Sequence, residues 1–89
     1  MMAYVILAYD IGVERVDSVR LLLKQYLNWV QNSLFEGDLT EAELLRVKEG
    51  IKERIDEGLD SVVIYRIDTS RYLQTIRLGT TKGEISTIL

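Results

Sequence analysis

The 89-residue chain contains no cysteine and no histidine. The first absence excludes disulfides and thiolate metal sites, and the second removes the commonest general base and zinc ligand. Any catalysis must rest on carboxylates, Tyr, Lys, Arg or a metal. The apolar stretch before Asp10 is too short to span a membrane and carries no basic leader, which predicts a cytoplasmic protein with no membrane role. A general excess of positive charge is also missing, since the formal net charge is -3. The eleven Lys and Arg residues can still gather on one face. Internal repeats, low-complexity tracts and linkers are lacking, so residues 1–89 read as one domain. A domain of this size buries a limited core, and oligomerisation is an expected source of extra stability.

What is present begins with Asp10. It closes the apolar run Ala3-Tyr4-Val5-Ile6-Leu7-Ala8-Tyr9, whose β-branched and aromatic members read as a buried strand. A carboxylate at the C-terminal end of such a strand stands where the sheet opens to solvent, a usual place for a metal ligand. An Asp there also often does no more than stop pairing or cap the next helix.

From Val13 to Leu27 the period changes. Val16, Val19, Leu23 and Tyr26 or Leu27 recur at helical steps, with Arg15, Asp17, Ser18, Arg20 and Lys24 between them, so an amphipathic helix lies on the sheet. The segment Trp29 to Gly37 is rich in strand formers but interrupted by Gln31-Asn32-Ser33. It forms either one bent strand or two short strands joined near Gln31-Asn32. Thr40 and Glu43 have capping-box spacing, and Leu44, Val47, Ile51 and Ile55 form one stripe of a second helix, with Gly58 near its end. The charges between them read as a solvated outer face. Ser61 to Ile67 is a further strand, Leu73 to Gly79 a weaker one, and the tail Glu84 to Leu89 is apolar enough to pair with a sheet edge.

Strand, helix, one or two strands, helix, strand is the order of a ferredoxin-like α+β sandwich, with both helices on one face of an antiparallel sheet. Tyr4, Ile6, Val62 and Ile64 have apolar neighbours, so both faces of the central strands are apolar. A sheet-to-sheet homodimer would cover the second face.

Tyr9-Asp10-Ile11, followed at the right interval by Val30-Gln31-Asn32-Ser33-Leu34-Phe35-Glu36-Gly37, resembles the signature of the CRISPR-associated protein 2 family, and the fit extends from Met2 to about Gly79. The resemblance implies a ferredoxin-like βαββαβ homodimer with a tight turn near Gln31-Asn32. It also implies that an extra C-terminal strand, Leu73 to Gly79, docks on the sheet of the partner subunit. Members are described as metal-dependent endonucleases acting on RNA or DNA, and as the central dimer of the spacer-acquisition complex built in antiviral defence with the CRISPR-associated protein 1 integrase. In the family the ligand for Mg2+ or Mn2+ is the Asp matched by Asp10. Tyr9, Arg15 and Phe35 match other positions of the active region.

One carboxylate per chain is a poor magnesium site, but a two-fold axis between two copies of Asp10 would bring two carboxylates to one ion. The ion would ease charge development on the phosphodiester and activate a water. The alternative is a non-catalytic subunit that holds DNA by its backbone for the integrase, using Arg15, Arg20, Lys24, Arg66, Arg71 and Arg77. A general RNA-binding module ranks below both, because the sheet lacks the paired aromatics of such a surface. Two positions depart from the family pattern. Trp29 stands where many members carry an Arg, and Val16 where a second basic residue often follows the first. Trp29 either stacks on a base or fills the core, and because an aromatic opening a strand is more often structural, the core is the expectation.

Overall fold

The computed structural model describes residues 2–67 and 73–80. In chain order its elements are β1 (Met2–Asp10), α1 (Val13–Lys24), β2 (Asn28–Gln31), β3 (Leu34–Thr40), α2 (Glu41–Arg54), β4 (Ser61–Ile67) and β5 (Leu73–Gly79). The strands form one sheet in the order β2-β3-β1-β4-β5, with every neighbouring pair antiparallel. The first four have ferredoxin-like topology, as expected, with β1 central.

Strict alternation along β1 decides the layers. Ala3, Val5, Leu7 and Tyr9 are buried, whereas Tyr4, Ile6 and Ala8 are half-buried and Asp10 is exposed. Cross-strand register extends this pattern: Leu7 lies between Phe35 and Ile64, and all three are fully buried. Val19, Leu22 and Leu23 of α1 and Leu44, Val47 and Ile51 of α2 close the same core. The other face carries Tyr4, Ile6, Ala8, Val63 and Tyr65, all half-buried, so the central strands are apolar on both sides.

The interrupted segment is a hairpin. Gln31 pairs with Leu34, and Asn32 adopts a positive φ of 43°, which Asn tolerates better than most residues. α2 begins as its spacing foretold: the Glu43 amide donates to Thr40 Oγ1 at 3.1 Å, and the Thr40 amide donates to Glu43 Oε1 at 2.9 Å. Two boundaries differ from the sequence reading. α1 stops at Lys24, leaving Tyr26 and Leu27 to pack beyond its end, and α2 stops at Arg54, with Gly58 in the following turn.

The fifth strand is a correction. Leu73–Gly79 pairs with β4 of its own chain, from Ile67 opposite Leu73 to Ser61 opposite Gly79. Five residues separate the two strands, enough for a hairpin connection, and a local hairpin costs less closure entropy than a strand sent to another subunit. The tail Glu84 to Leu89 and Arg71 lie outside the described residues.

β5 ends on a tight contact. Gly79 has φ +83°, and a Cβ built there would lie 2.2 Å from the Asp60 carbonyl oxygen. The Thr80 amide donates to that oxygen at 2.8 Å. Gly79→Ala is therefore expected to destabilise the fold by more than about 1 kcal/mol, read as a lowered midpoint in urea at unchanged slope.

Candidate functional site

Asp10 sits at the end of the central strand, opposite Ser61, on the face away from the helices. It borders a cavity of about 320 Å3 together with Tyr9, Ile11, Val16, Arg20, Asn32 and Ser33. The β2–β3 turn reaches this place because the Tyr9 amide donates to the Ser33 carbonyl at 3.1 Å, continuing the β1–β3 ladder past Leu34. The site thus joins a strand end, a hairpin turn and the start of α1.

Tyr9 and Phe35 lie on the helix side of the sheet, one strand apart, with ring centroids 6.2 Å apart. Phe35 is fully buried and belongs to the core, so the expectation that it takes part in the active region is corrected: it supports Tyr9 from beneath. Tyr9 is buried along its ring, while its hydroxyl oxygen accepts from Arg20 Nε at 3.1 Å. That bond is the main cause of the further rise of the Arg20 pKa above the ordinary guanidinium value, and Asp17, which accepts from Arg20 Nη1 at 3.2 Å, adds to it. Arg20 is held as a fixed cation at the cavity wall.

Arg15 points elsewhere. Its Nε donates to Asp60 Oδ2 at 2.6 Å and its Nη2 to Asp60 Oδ1 at 2.8 Å, a bidentate pair with a carboxylate only 1% exposed. The same carboxylate accepts from the Gly12 amide at 3.0 Å and the Asp56 amide at 2.8 Å. Arg15 folds back over Gly12, where a Cβ would meet Nη2 at 2.5 Å. Asp60 therefore does what the local sequence does not: α1 has no side-chain cap of its own, and a carboxylate from the loop before β4 satisfies its first amide and complements its dipole. The Arg15 hydrogen bonds, with those from the two amides, hold the Asp60 carboxyl well below the usual carboxylate range, and Arg15 is raised in return. The expected phosphate-binding role of Arg15 gives way to a structural one, because the fork that would grip a phosphate grips Asp60. Sequence reasoning missed Asp60. A lone Asp ahead of a strand carries no periodic signal, and its partner lies 45 residues away.

Arg66 is likewise engaged, donating to Glu41 at the start of α2, with Nη1 to Oε1 at 3.1 Å. Arg77 is exposed and lies opposite Val63, which itself pairs with Ala8. It therefore shares the face of Asp10, two strand spacings or about 10 Å across the sheet. At the opposite end of that face Glu36 and Asp38 flank Tyr4 and push its phenol pKa up, the hydrogen bond to Glu36 being the first cause.

Trp29 overturns the expectation of a core residue. It is 56% exposed, on the edge strand β2, with Lys24 Nζ 5.9 Å from the ring centroid. Although Trp29 pairs with Phe35, its strand lies at the edge of the sheet, and all four β2 residues are exposed.

As for a metal, no group of three or more potential ligands occurs among the described residues. Asp10, Asn32 and Ser33 nevertheless give the cavity hard oxygen donors. Mg2+ commonly takes one or two carboxylates and fills its remaining positions with water and phosphate, so the donor chemistry fits that ion or Mn2+. No helix among the described residues is long and apolar enough to cross a membrane.

Comparison with known proteins gives one answer. The CRISPR-associated endoribonuclease Cas2 of Methanosarcina acetivorans is 49% identical over 86 residues, covering 97% of this chain and 99% of its own. Its counterpart in Pyrococcus furiosus is also 49% identical over 86 residues, with the same coverage. A solved structure described as the crystal structure of cas2 superposes with a TM-score of 0.74 at 38% identity, covering 96% of this chain and 98% of that one. The family described as CRISPR associated protein Cas2 matches residues 2–75, and with that match spanning most of the chain, the protein belongs to the CRISPR-associated Cas2 family.

Proposed function

We propose that the protein is a divalent-metal-dependent endoribonuclease of CRISPR antiviral defence, acting on phosphodiesters of RNA. The observation that carries this reading is an exposed carboxylate, Asp10, bordering the same cavity as the fixed cation Arg20. The relatives named as endoribonucleases supply the substrate class. Asp10 would be the protein ligand for Mg2+ or Mn2+, with a second copy of the chain supplying a second carboxylate in a homodimer formed on the open apolar face. When bound, the ion neutralises charge developing on the phosphodiester and acidifies a water. The chain's own residues do the rest. Arg20 receives the phosphate, Tyr9 holds Arg20 in position, and Asn32 and Ser33 shape the wall opposite. Arg15 and Asp60 fix the loop from Asp10 to Gly12 that presents the carboxylate.

A second reading is favoured by Arg77, whose exposed guanidinium shares the Asp10 face. On that reading the same surface holds DNA by its backbone and positions the CRISPR-associated protein 1 integrase, without chemistry at Asp10. Titrating Mg2+ into purified protein with a labelled single-stranded RNA, and with DNA of the same sequence, separates the two. The nuclease reading expects RNA cleavage that saturates with Mg2+ and stops with EDTA. Binding of either nucleic acid without metal-dependent cleavage at any Mg2+ concentration would leave only the architectural reading.

A further inference from the structure

Beside the Asp10 cavity lies a second one of about 220 Å3, walled by Arg20, Lys24 and Trp29. Arg20 lines both, so the two cavities are neighbours on either side of one guanidinium. We infer that Trp29, with Lys24 and Arg20, forms a stacking subsite for one unpaired base of the nucleic acid whose backbone passes Asp10. This rests on the nucleic-acid-binding reading above and adds to it a place where the strand is held by a base.

An indole left 56% exposed on an edge strand costs solvation that a core position would recover. Its orientation is nevertheless fixed, because Nε1 donates to the Asn32 carbonyl at 2.9 Å in the turn that borders the Asp10 cavity. A pre-oriented aromatic plane loses little freedom on binding, which suits stacking. The volume is below the roughly 300–1,000 Å3 of pockets that enclose a whole small ligand, so the subsite takes a single flat ring system while sugar and phosphate run outside. Charge decides the class of occupant. Lys24 Nζ stands 5.9 Å over the indole ring and would swing aside toward the backbone as a base stacks, and Arg20 commits Nε to Tyr9 and Nη1 to Asp17, which leaves Nη2 to meet a phosphate. Cations bordering an exposed aromatic suit a polyanion that carries planar bases better than they suit an apolar protein surface. Duplex bases keep their faces covered by their neighbours, so the subsite selects unpaired ones.

Trp29 is the only tryptophan, and its fluorescence therefore reports on this position alone. Wild-type protein in EDTA, where cleavage is halted, is titrated with a short single-stranded oligoribonucleotide, with an abasic oligomer of the same length and with the corresponding duplex. Binding is followed in parallel by anisotropy of labelled strands. The expected result is saturable quenching by the single strand, none by the abasic oligomer and little by the duplex. Trp29→Ala should weaken single-strand binding by roughly 5- to 150-fold, and Trp29→Phe, which keeps a ring but loses the indole N–H, should restore most of it. Single-strand binding with unchanged emission and unchanged affinity in Trp29→Ala would overturn the subsite while leaving nucleic-acid binding intact. Equal quenching by duplex would overturn its selectivity for unpaired bases. No binding of any strand overturns both readings. Emission that depends on protein concentration without oligomer assigns Trp29 to a contact between copies and overturns the inference.

Discussion

Asp10→Ala is expected to abolish Mg2+-dependent RNA cleavage, with a loss of at least about 100-fold, while RNA affinity in EDTA and the melting temperature should stay close to wild type. The size follows from comparing shells: removing a group that merely orients a metal ligand already costs roughly 10–100-fold, and Asp10 is proposed as the ligand itself. Selectivity for chemistry over binding follows from position. Asp10 is exposed at the end of β1, outside the apolar core, and the cations at hand for phosphate are Arg20 and Arg77. Removing a metal ligand would delete the ion, whereas removing Arg77 would delete a proposed phosphate contact. Arg77→Ala should instead lower affinity and flatten its salt dependence, with about one fewer counterion released. Cleavage by Asp10→Ala at the wild-type rate, in preparations freed of contaminating nuclease, ends the catalytic assignment and leaves the architectural role.

The second large effect concerns stability. Asp60→Asn is expected to cost about 3 kcal/mol at neutral pH, which for a domain of this size lowers the melting temperature by roughly 12–24 °C. The figure is taken from the low end of the range for breaking a buried ion pair, because the Arg15 side chain keeps 22% of its exposure and some of its hydration. Asn can still accept a hydrogen bond, but it cannot return the charge to Arg15 or satisfy two amides and two guanidinium donors at once. The pH dependence has a definite direction. The folded-state pKa of Asp60 lies below its unfolded value, so its contribution is complete above about pH 4, the unfolded value for Asp, and is lost as pH falls from there through the folded value. The difference in melting temperature between wild type and Asp60→Asn should therefore be large at pH 7 and shrink below about pH 4. A difference that stays constant down to pH 2 would show that the charge contributes nothing and that the loss is one of packing.

Local rules made most of the architecture readable from the residues themselves. Alternation in β1 and β4 marks strands that bury one face fully, Thr40 and Glu43 cap α2 as their spacing requires, and Gln31-Asn32-Ser33 marks the interruption that becomes the β2–β3 turn. Asp10 was legible as a candidate because a carboxylate ending an apolar strand is conspicuous in one dimension. These features depend on neighbours a few residues away, and period and turn chemistry report them directly.

Tertiary structure decided what no period encodes. Arg15 and Arg20 look equivalent in a helical pattern, yet they part on folding: one is taken by Asp60 from 45 residues away, while the other is anchored to Tyr9 beside the cavity. Phe35 and Trp29 are paired across β3 and β2, but the helices cover only the first, so one aromatic fills the core and the other faces solvent. β5 joins its own sheet although the sequence pattern fits pairing with either subunit. Burial and ion pairing depend on which surfaces the packed layers bring together, and sequence distance carries almost no information about that.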